Sequence, residues 1–197
     1  MLKHSLAKLA LVLFAPLLAL NTAQAHWMLD NEASTLSFVT TKADNVAEAH
    51  TFDTLSGSIS PSGEVNVSIE LASVNTMIQI RNERMQAMLF DTPMFPNATI
   101  TATVDFAAID AMAPGASATQ QLSFTLDLHG ASNSYTADVR VTRTQEGVVA
   151  SILKPVIVTA DSFGLAGGVE ALREVAGLSR ISNAVPVSFT VTFVEAD

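Results

Sequence analysis

The sequence predicts an all-β chain whose antiparallel strands close on one core, as a sandwich or as a barrel. Three observations carry that prediction. Long runs alternate apolar and polar residues at period two, turn-forming clusters separate the runs, and the chain has no cysteine with which to staple a loop-rich fold.

"EVNVSIEL" sets Val65, Val67, Ile69 and Leu71 on one face and Glu64, Asn66, Ser68 and Glu70 on the other. "ATITATVDF" repeats this with Ile100, Ala102, Val104 and Phe106 against Thr99, Thr101, Thr103 and Asp105. The same alternation gives Leu122, Phe124, Leu126 and Leu128, then Tyr135, Ala137, Val139 and Val141, and finally Val185, Val187, Phe189, Val191 and Phe193. Runs of this kind are half-buried antiparallel strands, with one face on a core and the other in water. Weaker strands are expected at "TLSFVT", "TLSGSIS", "GVVASIL" and "PVIVTA", with turns at "SPSGE" and "TQEG" and a longer polar loop at "DAMAPGASATQ". About eight strands in a row, without repeat or linker, make one domain.

Two segments break the alternation. "GGVEALREVAG" carries Val169, Leu172, Val175 and Ala176 at helical spacing and stops at Gly177. From Arg81 to Phe90, Met85, Met88 and Leu89 fall at i, i+3 and i+4, with Arg81 and Arg84 on another face. A short helix here, ahead of the Pro93 and Pro96 turns, would lie across one end of a barrel as a plug or lid.

The first residues are read as a targeting segment. Lys3 and Lys8 precede an apolar run from Leu9 to Leu20, and Ala23-Gln24-Ala25 offers a small-residue cleavage site, so residues 1–25 are expected to be a secretory signal peptide. The remaining domain, residues 26–197, has 172 residues and a net charge of −11 with His neutral, because two lysines and no acid leave with the peptide. So acidic a chain, with no basic cluster, excludes a nucleic-acid partner and disfavours anionic membrane surfaces. Without cysteine there is no thiolate nucleophile, no Cys-based metal site and no disulfide.

Taken together and in order, three passages resemble the YceI family: "HWMLDNEASTLSFVTTK", "GSISPSGEVNVSIELASVNTMIQIRNERMQAMLFDTPMFPNATIT" and "LSFTLDLHGASNSYTADV". They carry that family's Trp and Asp opening the first strand, its G-x-I strand, its S-V-x-T … R … L-F-D … F-P passage and its L-x-L-H-G strand. The resemblance covers nearly the whole of residues 26–197. It implies a periplasmic, lipocalin-like, eight-stranded antiparallel β-barrel with one or two short helices. It further implies a hydrophobic tunnel for an amphiphile, which in characterised members is a polyisoprenoid chain such as a ubiquinone or a prenyl derivative. In one departure, the acidic residue usual after the motif arginine is Asn82 here, which opens the question of headgroup specificity.

On that reading the tunnel would be lined by Phe38, Ile59, Val104, Phe106, Phe124 and Leu126 from the strands. Met77, Met85, Met88, Leu89, Phe90 and Phe95 would come from the irregular segment, where flexible, polarizable methionines adapt to a branched chain. Arg81, Asn82 and Arg84 are candidate donors to the ligand's polar group. The competing assignments are a Met and Phe stripe that is plain core and arginines that form a solvated face. His129, at a strand end, is either a hydrogen-bonded structural histidine or a headgroup contact.

The function expected is therefore binding and carriage of an isoprenoid lipid or quinone, with no catalytic residue, no metal and no cofactor beyond the bound lipid. The alternatives are an interaction protein with a self-filled barrel serving a membrane-protein partner, and an enzyme acting on a prenyl lipid. A third is copper binding, through an exposed His26 amino terminus with His50 or His129, or through the thioethers of Met77, Met85, Met88 and Met94. No G-x-S-x-G elbow, P-loop or dinucleotide fingerprint is present. A homodimer is a further partner alternative for which no residue argues.

Overall fold

The first strand, β1 (Trp27–Lys42), is far longer than "TLSFVT" suggests, and the sheet closes on it. The computed structural model describes residues 27–196, so the expected signal peptide and His26 lie outside the described residues. After β1 come β2 (Val46–Phe52), β3 (Leu55–Ile59), β4 (Glu64–Glu70), the two-residue β5 (Val74–Asn75) and β6 (Asn97–Thr103). Then follow β7 (Ser117–Leu128), β8 (Ala131–Arg143), β9 (Gly147–Ile152), β10 (Val156–Thr159) and β11 (Ala184–Glu195).

Neighbouring strands pair antiparallel in chain order. β1 takes β3 along its first residues and β2 along its last, while β11 runs along its other edge and is shared by β9 and β10. With β2/β3 and β9/β10 each counted as one broken strand, eight strand positions close into a barrel. The alternation in the sequence gives the inner face directly. Val67, Ile69, Phe124, Leu126, Val139, Val141, Val191 and Phe193 are buried at every second position.

β1 changes partner at a bulge, where its register against β11 shifts between Asp30 and Thr35. The Asp30 carboxylate accepts from the backbone N–H of Glu32 at 3.0 Å and of Ala33 at 3.2 Å, which coils the extra residues. Asn31 then bridges the gap between β2 and β3, accepting from the Leu55 N–H at 2.6 Å and donating to the Asp53 carbonyl at 3.1 Å.

The interior divides into two clusters. One end is filled by Trp27, Ile59, Val67, Val139, Val148, Val191 and Phe193. There α2 (Phe106–Asp110) plugs the barrel with buried Ile109, its N-terminus capped by the Asp105 carboxylate on the Ala108 N–H at 3.0 Å. The sequence reading ran the sixth strand through Phe106. The structure ends it at Thr103, because Asp105 caps a helix instead of continuing the ladder. Fully buried Trp27 packs on Phe106 with ring centroids 4.9 Å apart and carries the Arg143 guanidinium 5.0 Å from its own ring centroid. Arg143 in turn donates to the Gly147 carbonyl at 2.6 Å and lies 3.6 Å from the carboxylates of Asp110 and Glu195. Gly147 has no alternative, since a Cβ there would sit 1.8 Å from the Phe193 carbonyl oxygen.

The other end carries the breaks in the β pattern. Here α1 (Gln79–Arg84) runs into a π-helical turn, Met85–Phe90, and α3 (Ala166–Val175) matches the expected second helix. Replacing Trp27 with alanine removes the seal of the filled end. It is expected to cost about 3–5 kcal/mol of stability in a urea titration, the range for a buried aromatic; a loss below about 1 kcal/mol would contradict the packing described.

Candidate functional site

At the helical end the barrel is hollow. A cavity of about 380 Å³ lies between the inner faces of the strands and a roof made by α1, the π-helical turn and α3. That volume falls in the range of small-molecule sites. Phe124, Tyr135 and Ile152 form its floor above the filled end, Leu36, Ile69 and Leu126 its walls, and Met85, Leu89, Phe90, Val169 and Leu172 its roof. Burial raises the Tyr135 phenol above its ordinary value of 10. Phe90, Phe52, Phe38 and His50 form an aromatic ladder from roof to wall, with successive ring centroids 5.8, 5.3 and 5.3 Å apart.

The roof is pinned at two places. Gly168 of α3 lies directly against the π-helical turn, where an added Cβ would sit 2.7 Å from the Met88 carbonyl oxygen and 2.9 Å from Leu89 Cα. On the opposite side the Glu48 carboxylate receives Arg81 of α1 at 2.6 Å and Lys42 of β1 at 2.6 Å, tying the roof to the β1–β2 hairpin.

Along that hairpin the inward side chains change character toward the opening. Leu36 faces Phe52, Phe38 faces His50 and Thr40 faces Glu48, with Lys42 beyond. The polar end of the wall is thus Thr40, Lys42, Glu48 and His50, joined from the roof by Arg81 and by Arg84, which has no ion pair among the described residues. The His50 ring is buried, with Nε2 sharing a hydrogen bond with the Thr40 hydroxyl at 2.9 Å and Nδ1 without a partner among the described residues. Burial holds its pKa below 6.5, with Arg81 adding to the effect and Glu48 opposing it. The hydrogen bond from Lys42 is the largest effect on Glu48; burial opposes it, and the hydrogen bond from Arg81 and the two positive charges complete the balance that holds the carboxyl below 4.5.

The structure gathers half of the sequence-derived candidates in the cavity wall: Phe38, Arg81, Arg84, Met85, Leu89, Phe90, Phe124 and Leu126. The others lie elsewhere. Ile59, Val104 and Phe106 belong to the filled end: Ile59 closes β3 there, and Val104 and Phe106 lie beyond the end of β6, Phe106 in α2. Asn82 accepts the Thr76 N–H at 2.9 Å and the Thr76 hydroxyl at 2.6 Å, and so fixes the turn into α1. Met77, at φ 60°, projects into solvent. Met88 is turned outward because the wider π-helical turn brings residues four and five apart onto one face, here Leu89 and Phe90 with Met85, and leaves the residue three apart off it. Phe95 stacks on the His129 ring at 4.4 Å, outside the cavity, and His129 Nδ1 lies 3.3 Å from the Phe163 carbonyl. His129 and Gly130 both have positive φ and make the two-residue turn between β7 and β8.

The sequence reading missed β2, and with it Glu48 and His50 as wall residues. Its signal was present as "AEAHTF", where Glu48, His50 and Phe52 alternate with Ala47, Ala49 and Thr51. The alternation there places the polar side chains inside and alanines outside. Of the four methionines weighed as copper ligands, Met85 is buried in the roof while Met77 and Met94 are exposed, and no group of three or more His, Asp or Glu gathers among the described residues.

The YceI-like domain family model matches residues 27–193. A polyisoprenoid binding domain from Saccharophagus degradans, implicated in plant cell wall breakdown, is 39% identical and superposes with a TM-score of 0.85, over 88% of this chain and 99% of that one. BcnA from Burkholderia cenocepacia shares the fold at 19% identity and a TM-score of 0.64, covering 83% of this chain and 98% of its own. No curated protein sequence matches.

Two expectations follow from the geometry. Since the folded His50 pKa lies below the unfolded value near 6.5, its contribution to stability is complete above that pH and is lost as pH falls from 6.5 through the depressed folded value. Melting temperature should therefore fall between pH 7.5 and 5.5, roughly two units around that pKa, and His50→Gln should flatten that slope; an equal slope in the variant would refute the assignment. Gly168→Ala should part α3 from the π-helical turn. We expect it to lower the melting temperature and increase binding of an environment-sensitive apolar dye, and no change in either would mean that the contact is slack.

Proposed function

Because the chain belongs to the YceI-like domain family, we propose that it binds an isoprenoid lipid or quinone and carries it in the periplasm without transforming it. The observation that carries the proposal is a barrel hollow in one half, with apolar walls leading to a polar opening. The relative from Saccharophagus degradans, a polyisoprenoid binding domain, supports the ligand class.

The apolar chain would lie against Phe38, Phe124, Leu126 and Met85, driven by burial of its surface at about 25 cal/mol per Å². From Lys42 to Leu36 the wall spans about 20 Å of strand, room for several isoprene units. The polar group would sit at the opening, where Lys42 and Arg81 already share Glu48 and Arg84 remains unpaired among the described residues. A carbonyl, hydroxyl or phosphate suits that set, whereas a cationic head would meet three positive side chains against one carboxylate. The open cavity weighs against the self-filled interaction protein.

The test is native mass spectrometry of the protein purified from its own periplasm, followed by organic extraction. A discrete added mass that extracts as a prenyl chain is expected. A bare protein that also fails to take up added ubiquinone would overturn the proposal. Met85→Glu places a carboxylate in the roof and should abolish retention, while Met88→Glu, one turn away on the outside, should leave it intact. Equal retention by both variants would remove the cavity as the binding place.

A further inference from the structure

Three segments border the opening of the cavity: the β1–β2 turn and its flanks (42–48), the loop into α1 with that helix (76–84), and the end of α3 with the chain that follows (170–183). They are stitched into one rim. Ala43 N–H donates to the Arg180 carbonyl at 3.0 Å, Ser182 N–H donates to the Thr41 carbonyl at 2.8 Å, and Arg81 reaches Glu48. Ile78, Ile80 and Val175 line the cavity and are also exposed, which marks this rim as the place where the interior meets solvent.

Two properties separate the rim from the rest of the surface. Of the ten exposed large hydrophobic side chains among the described residues, five stand here: Val46, Met77, Ile78, Ile80 and Val175, at 47, 88, 45, 53 and 44% exposure. Yet the three segments make up fewer than a fifth of the described residues. Met77 is held out by design of the backbone. Its φ of 60° is one that a long side chain rarely adopts, and it is maintained by the Asn75 carboxamide oxygen on the Met77 N–H at 2.9 Å and by the Asn82 cap on Thr76.

The second property is charge. The rim carries Lys42, Arg81, Arg84, Arg173 and Arg180 against Asp44, Glu48, Glu83, Glu170 and Glu174, so it is neutral. The other described residues hold thirteen acids and three bases, a net charge of −10. The chain thus spends five of its eight described cations on neutralising one apolar border around a cavity mouth.

We propose that this rim is a docking surface for a lipid bilayer, against which the cavity opens directly onto the acyl region. Apolar side chains at the rim enter the headgroup boundary, and the balanced charge spares it the repulsion that the acidic remainder of the barrel meets at an anionic leaflet. The acidic body sets the orientation, because it is driven away from such a leaflet and leaves the mouth nearest to it. Docking does not depend on which amphiphile fills the cavity, so it can fail separately from the carrier reading.

The experiment is flotation of the purified mature protein with vesicles of phosphatidylcholine, alone and mixed with phosphatidylglycerol. The wild type is expected to float with phosphatidylcholine. The double variant Val46→Ser/Met77→Ser, at two exposed positions outside the cavity wall, should bind about fivefold or more weakly. Ile157→Ser, at an exposed position on the barrel wall, should bind as the wild type does. Adding phosphatidylglycerol should weaken binding at low salt, and salt should restore it, the opposite of a protein that docks through a basic patch. Circular dichroism and native mass spectra of the double variant separate loss of docking from loss of fold or of cavity contents; should the double variant unfold, Met77→Ser alone replaces it. A wild type that floats with neither vesicle, a rim variant that floats equally well, or binding strengthened by phosphatidylglycerol would each overturn the proposal, and the first would turn the rim toward a protein acceptor.

Discussion

Eight antiparallel strands enclose an interior that side chains can fill completely, so a barrel of this size has to open somewhere if it is to hold anything. Here the change from filled to hollow coincides with three interruptions of the strands. β1 bulges between Asp30 and Thr35, the β2/β3 strand breaks at Asp53–Thr54, and the β9/β10 strand breaks at Leu153–Pro155. Residues on one side of these breaks, such as Trp27, Ile59 and Val148, belong to the filled end, while Leu36, Phe38 and Val158 on the other side belong to the cavity. Each break releases the strand from its ladder and lets it follow a different partner and curvature. Asn31 fastens the first two breaks to each other, so the change from filled to hollow is set by a side chain rather than left to a slack sheet. Trp27 and Arg143 complete the arrangement from the closed end, where they carry the packing that the open end gives up.

A hollow apolar space with charges at its lip raises an electrostatic question, since partly buried ions are costly unless paired. Glu48 resolves most of it by accepting both Lys42 and Arg81, and its lowered pKa reflects that double contact. His50, one step deeper, stays neutral instead, because burial outweighs the attraction of Glu48. The wall therefore grades from aromatic through neutral imidazole to paired ions within one hairpin, which suits an occupant that is apolar along its length and polar at one end.

Much of this was legible in the sequence. Inward faces of β4, β6, β7, β8 and β11 follow from alternation alone, and α3 follows from its spacing and from Gly177, whose φ of 63° ends it. Two of the failures share a cause: the usual pairing of apolar with inside was reversed in β2, and its period changed in the π-helical turn. β2 was missed because its inward residues are Glu48 and His50. Met88 was placed inside by a period that a π-helical turn does not obey, and Asn82 was grouped with the headgroup donors although it lies outside the cavity wall, in the turn it fixes at Thr76. Val104 and Phe106 were read as strand residues of the tunnel, but the strand ends at Thr103 and both pack at the filled end; alternation contains no information about depth along a barrel.

The two fastenings of the roof differ in strength, and that difference bears on how the cavity exchanges its contents. At Gly168 two helical backbones touch without an intervening side chain, with Val169 and Leu172 packed behind them, so separation there exposes apolar surface over several residues. Across the opening, α1 is held to the barrel by Arg81 on Glu48, with both side chains partly exposed. Ion pairs in such settings contribute about 0–1 kcal/mol, less than the burial of a single Leu side chain at about 1.5–3 kcal/mol. The weaker fastening is therefore the one beside Ile78 and Ile80, and an occupant leaves most cheaply between α1 and the β1–β2 hairpin. That side carries Ile78, Ile80 and Arg84, so the same few residues form the polar end of the wall and the lip of the cavity.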